Sequence, residues 1–84
     1  MGSLRGIAST TNTDLTGALL RDANLTRADL TGAGLTRAYL YQANLYQANL
    51  TNADLTNAIL TKVIWDHTIC PDGSTASLPD SCHA

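Results

Sequence analysis

The residues best equipped for chemistry gather near the C-terminal end: His67, Cys70, Cys82 and His83. Imidazoles and thiolates at His67-x-x-Cys70 and Cys82-His83 make a four-ligand set that a tetrahedral zinc ion could use. The same cysteines could instead form a bridge. They are the chain's only two, twelve positions apart, and they bracket Cys70-Pro71-Asp72-Gly73-Ser74. Proline presets the first turn dihedral and glycine accepts the left-handed one, so this run reads as a tight reversal. A single disulfide across it reads best and would stabilise the end by roughly 2–3 kcal/mol. A redox-active thiol has less support, because the spacing is not Cys-x-x-Cys and no helix flanks it.

Elsewhere the residue types point away from catalysis. The seven acidic residues are all Asp, with no Glu, and no Ser/His/Asp set or glycine-rich phosphate loop is present. Asp14, Asp29 and Asp54 share their slot with Asn24, Asn44 and Asn49. A slot that loses its charge at equivalent sites serves a turn, not an acid–base pair. The sequence therefore predicts a protein that is not an enzyme, without a cofactor or a metal. Four Arg and one Lys leave a formal charge of −2, too balanced to imply a nucleic-acid partner. No apolar run approaches the length of a membrane span, and no signal-peptide core stands out.

What must position these groups is a metronome. Leucine recurs at every fifth position from Leu15 to Leu60, ten times, with Ala two residues before most of them. The unit is Ala-(Asp/Asn)-Leu-Thr-x, as in Ala28-Asp29-Leu30-Thr31-Gly32. Steps of five rotate a side chain by about 140° on a helix, which scatters the leucines around it. On a flat strand an odd period sends successive leucines to opposite faces. Only a coil that turns a corner after each unit can point every leucine at one axis.

On these residues the chain resembles the pentapeptide-repeat family, written A(D/N)LXX. The resemblance implies an all-β fold, a right-handed quadrilateral β-helix with four repeats per coil. Residues 13–62 carry the pattern, with Thr13 in place of the first alanine and Leu19, Gly34, Tyr39 and Ile59 in place of Asp/Asn. Trp65 takes the leucine position of an eleventh, decaying unit. Residues twenty apart should then stack, giving inward columns Leu15/Leu35/Leu55, Leu20/Leu40/Leu60, Leu25/Leu45/Trp65 and Leu30/Leu50/Cys70. About three coils result, close to the minimum for a repeat stack. The expected organisation is a start remnant and lead-in or N-terminal cap at 1–12, the solenoid at 13–65, and a C-terminal capping loop at 66–84. The Trp…Cys-Pro-Asp-Gly…Cys tail resembles exported or lumenal members of the family, which implies an oxidising compartment such as the periplasm or thylakoid lumen. Met1-Gly2-Ser3 looks like an expression remnant, leaving room for a targeting segment upstream.

Stacking by twenty also gathers Leu19, Tyr39 and Ile59 into one outward column, beside Arg21 and Tyr41, with Tyr46 one face away. This apolar ridge is the candidate contact face, with a cation–π contact expected between Arg21 and Tyr41. The function expected is a non-enzymatic structural or protein-interaction module, binding an unidentified protein or a second copy, and no membrane. The alternative is a family activity, inhibition or protection of a topoisomerase by mimicry of duplex DNA. Three short coils, weak net acidity and the interleaved Arg21, Arg37 and Arg27 disfavour it. The disulfide reading has a direct check. Intact mass after alkylation of the native protein should show neither cysteine labelled until a reductant is added; free labelling of both would revive the zinc set.

Overall fold

A computed structural model describes residues 12–76 and Cys82. The lead-in at Leu4 and Ile7, the Leu78-Pro79 segment and His83 lie outside the described residues. A period of five turns the chain through four faces per coil. Parallel bridges join residues twenty apart on each face: Asp14↔Gly34↔Asp54, Leu19↔Tyr39↔Ile59, Asn24↔Asn44↔Ile64 and Asp29↔Asn49↔Ile69. Each face therefore has three rungs, which makes three coils of a right-handed quadrilateral β-helix.

Two backbone bonds repeat at every rung. On the first face Asp54 donates its N–H to Ala33 O at 2.9 Å, and Leu35 donates to Asp54 O at 2.8 Å. Between rungs the chain turns a corner closed within one unit. Ala43 N–H, for example, reaches Leu40 O at 2.8 Å across Tyr41 and Gln42. The second central residue of each corner has positive φ, the signature of a type II turn. Gly17 and Gly32 suit that position, and Asn12, Asp22, Asn52 and Asn57 tolerate it. Arg27, Arg37, Gln42, Gln47 and Lys62 occupy it as well, at φ 58–62°. Nothing in those five side chains favours a left-handed backbone; the rungs on either side of the corner impose it.

The corner also explains the sequence unit. Leucine and the alanine two before it both point to the axis. Leu25, Leu30, Leu35, Leu40, Leu45 and Leu50 have no exposed surface at all, and each such burial contributes about 1.5–3 kcal/mol. Alanine is required beside them because four leucines per coil already fill the axis. At the ends of the stack Leu15, Ala18, Ala58 and Leu60 are only partly buried.

Beyond Leu60 the repeat decays in sequence but persists in geometry. Val63 and Trp65 are buried in the alanine and leucine positions, and Cys70 completes the Leu30/Leu50 column. The ladder runs on to Ile69, past the residue-65 boundary expected for the solenoid. Ile69 belongs to β1 (Thr68–Ile69), which pairs antiparallel with β2 (Thr75–Ala76) in the register Thr68↔Ala76 and Ile69↔Thr75. The reversal runs through Gly73 at φ 88°, with Cys70 N–H donating to Ser74 O at 2.7 Å. A strand running the opposite way occupies the free edge of this face, so no further parallel coil can follow there. Thr68 replaces the usual inward alanine; its fully buried hydroxyl donates to Leu45 O at 2.6 Å.

The forced corner makes a prediction. Gln42 is exposed, so Gln42→Gly should keep or raise stability, by up to about 1 kcal/mol, while Gln42→Val should lower it by about 1–3 kcal/mol. Urea midpoints of the three proteins check this, and equal midpoints would mean the corner carries no strain.

Candidate functional site

The residue just before each leucine faces outward, and its chemistry decides how the next corner is held. Where it is Asp or Asn, its Oδ1 accepts the N–H two residues on. The pairs are Asp14–Thr16, Asn24–Thr26, Asp29–Thr31, Asn44–Tyr46, Asn49–Thr51 and Asp54–Thr56, all at 3.0–3.1 Å. The hydroxyls of Thr51 and Thr56 add a second bond to the same oxygens. These local turns lock six corners with short side chains. Asp14 and Asp54 are held below the usual carboxylate range, first by the threonine hydroxyl bond and then by the backbone one.

One face gives up this device on all three rungs. Leu19, Tyr39 and Ile59 have no short oxygen to offer the N–H groups of Arg21, Tyr41 and Thr61. They stand instead as an exposed ladder, 58%, 51% and 41% accessible. Their backbone is still a regular rung: Tyr39 N–H meets Ala18 O at 2.8 Å, and Leu40 N–H meets Tyr39's successor Ile59 O at 2.9 Å. The side chains are thus about 4.8 Å apart in register. Neighbouring side chains of this kind support one another on the sheet surface.

Beside the ladder the Arg21 guanidinium lies 5.3 Å from the centroid of Tyr41, the contact expected from the twenty-residue stacking. Arg21 Nε also stands 3.6 Å from Asp22 Oδ2, a loose and exposed ion pair. Shallow grooves flank the ridge. One of about 300 Å³ is lined by Arg21, Tyr39, Tyr41 and Ile59. The other, about 510 Å³, runs between Gly17, Arg37, Tyr39, Asn57 and Ile59. Five of the six face residues read from the sequence are therefore together. Tyr46 is elsewhere: its ring packs edge-on against His67, centroids 6.1 Å apart, and His67 Nδ1 lies 2.6 Å from Asp66 Oδ1.

Ile64, 41% exposed, is a further surface apolar residue. It fills the Asp/Asn slot above Asn44, a place its spacing from Asn24 already marks. In the tail, Cys70 and Cys82 are joined, with 5.4 Å between Cα atoms, and both are buried. Both sulfurs are thereby withdrawn from the zinc set, and His67, the described imidazole of that set, faces solvent beside Asp66.

Four faces, a period of five, Leu/Ala packing at the axis and Asx-held corners define a pentapeptide-repeat β-helix. A family profile described as pentapeptide repeats, in 8 copies, matches residues 11–45 and 33–64. The chain belongs to the pentapeptide-repeat family. Among solved structures it is similar to HetL, a pentapeptide repeat protein involved in heterocyst differentiation regulation, from the cyanobacterium Nostoc sp. strain PCC 7120. Identity is 40%, over 80% of this chain and 34% of HetL, with a TM-score of 0.57. It is also similar to the pentapeptide repeat protein Rfr23 of the cyanobacterium Cyanothece 51142. There identity is 28%, over 66% of this chain and 51% of Rfr23, with a TM-score of 0.32. The chain thus spans about a third of the length of HetL. No curated protein matches it.

The held carboxylates set a pH dependence. With native values lowered from 3.8, Asp14 and Asp54 favour the folded state above that value. The advantage is lost as pH falls through their native values. Asn keeps the acceptor oxygen without the titration, so Asp14→Asn/Asp54→Asn should lose less stability than the parent below pH 3.8. Denaturation midpoints between neutral and acid pH check it; parallel curves would mean the bonds do not favour the ionised form.

Proposed function

We propose that the chain is a non-enzymatic protein-interaction module whose β-helix displays the Leu19–Tyr39–Ile59 face to a protein partner. The observation that carries this reading is the surrender of the corner bond on all three rungs of one face. Every other face keeps Asp or Asn on at least two of its rungs. A short polar residue at positions 19, 39 and 59 would hold the corners better and expose no apolar surface. Large side chains there cost local order and expose a contiguous apolar strip, the usual mark of a contact surface.

The rest of the molecule suits a passive scaffold. The Asp and Asn oxygens in the slot before leucine are engaged in turns, the interior is filled with leucine and alanine, and the grooves are open and shallow. A duplex-mimicking role toward a topoisomerase has less support. Asp14 and Asp54 spend their charge on their own corners, and Arg21 and Arg37 interrupt the acidic surface. The buried Cys70–Cys82 bridge favours an oxidising compartment as the place where the module works.

Selection of random twelve-residue peptides on the immobilised protein tests the reading. Peptides should enrich that bind the parent and fail to bind Tyr39→Ser/Ile59→Asn, a variant expected to melt like the parent because both positions face outward. Enriched peptides that bind both proteins equally, or no enrichment at all, would remove the ridge as a docking face.

A further inference from the structure

The two edges of the ridge carry charge of opposite sign. Along one edge runs the corner of Gly17, Arg37 and Asn57, and Asp14 and Asp54 lean toward it through their bonds to Thr16 and Thr56. Along the other run Arg21 and the corner column Asp22, Gln42 and Lys62. All six charged residues are exposed. The first edge sets two carboxylates against one cation, and the second sets two cations against one carboxylate. The face as a whole is therefore neutral. Elsewhere among the described residues acid is in excess, with Arg27 against Asp29, Asp66 and Asp72.

We propose that the ridge receives a second copy of this chain, across a two-fold axis that runs along the ladder. The proposal rests on the interaction reading above and names the partner. A two-fold interface brings the same patch of both copies together, so the patch must complement itself. With the axis along the ladder, Leu19 meets Leu19, Tyr39 meets Tyr39 and Ile59 meets Ile59. The acidic edge of each copy then lies against the basic edge of the other. Lys62 faces Asn57 and Asp54 of the second copy, and Arg21 faces its Asp14, each on the same coil. Arg37 comes level with Gln42, one rung of about 4.8 Å from Asp22. The apolar ladder supplies the attachment, and the charges at the rim choose the orientation. Arg21 is available for this, because its ion pair with Asp22 is long and exposed, the kind that exchanges readily. Arg37 has no ion pair among the described residues.

The same arrangement argues against the other ways of covering the ridge. An axis across the ladder would set each edge against its own kind, Arg37 on Arg37 and Asp14 on Asp54. A foreign segment of one charge would be drawn to one edge and repelled by the other. A nucleic acid would meet three carboxylates and leave Leu19 and Ile59 with nothing apolar to cover them. Nor can a copy add as a fourth coil on the Ile69 face, because β2 already occupies that edge. The size is adequate and no more. A molecule of 26 × 25 × 22 Å offers about 500 Å² on one face, so a pair buries about 1,000 Å², the lower limit for a specific interface. The dimer is therefore weak and depends on concentration.

Sedimentation equilibrium at concentrations from about 1 μM to about 1 mM tests this. The parent should pass from the mass of one chain, 8.9 kDa, toward twice that as concentration rises. Tyr39→Ser/Ile59→Asn should keep the mass of one chain throughout. Lys62→Asp and Asn57→Lys should each weaken the pairing about tenfold, and the two changes together should restore it to within about threefold of the parent. Both positions are corners where Asp, Asn and Lys already stand at φ 59°, so all these proteins should melt like the parent. The restoration is particular to the proposed axis: with the axis across the ladder, position 62 would meet Asp22 and position 57 would meet Gly17. A parent with the mass of one chain at every concentration would overturn the proposal. So would an assembly indifferent to Tyr39→Ser/Ile59→Asn, or a Lys62→Asp/Asn57→Lys protein as weak as the single variants. If the parent stays single while the peptide selection enriches ridge-dependent sequences, the interaction module stands and the second copy falls. If it stays single and the selection enriches none, both fall.

Discussion

The structure depends on one constraint, the twenty-residue offset of the hydrogen bonds between coils. A middle rung donates both ways: Tyr39 N–H to Ala18 O at 2.8 Å on the preceding coil, and Leu40 N–H to Ile59 O at 2.9 Å on the following one. These bonds are local to no element; every one crosses a full turn of the solenoid. They fix which leucines stack, and they force residues such as Arg37 and Gln42 into a left-handed backbone that their side chains do not favour. They also set which outward residues share a face. A slip of one unit would keep every leucine inside but rotate each column to the next face, and Leu19, Tyr39 and Ile59 would part.

Three coils leave little interior between two ends. The middle leucines are sealed, while Leu15 and Leu60 are only partly covered. The C-terminal end is managed by chemistry that the repeat lacks: an indole at Trp65, a hydroxyl at Thr68 that bonds the Leu45 carbonyl, and a covalent tie between Cys70 and Cys82. The antiparallel β2 does what a fourth coil could not. It covers the β1 edge with a strand of the wrong direction for the solenoid to continue, as exposed edges elsewhere are blunted against unwanted pairing.

The outward face shows a conflict between local and global fitness. Asp or Asn at the slot before leucine holds its own corner, and most units comply. Where a protein breaks a rule that it follows elsewhere, at the same place on every layer, the departure is a sign of use. Leu19, Tyr39 and Ile59 make that departure in register. Ile64 makes it once, on a face otherwise kept polar.

The solenoid was legible in the sequence because a period of five is incompatible with helix and flat strand alike. The ten leucines, the stacking by twenty, the ridge of Leu19, Tyr39 and Ile59, and the Arg21–Tyr41 contact all follow from that arithmetic. Composition likewise carried the candidate bridge at the tail. What the sequence could not show is whatever depends on a partner twenty or more residues away that no pattern marks. Thr68 reads as a polar residue in a decaying tail, and only the Leu45 carbonyl waiting above it makes it a buried one. Ile69 reads as cap and is a rung. Tyr46, one face away from the ridge, meets His67, a contact that no repeat position marks. Arg27, Gln47 and Lys62 carry no sign of a left-handed backbone, because that conformation is imposed by rungs above and below rather than preferred by the residue. Periodicity is written in the chain; the cost of closing each corner is decided only when the coils stack.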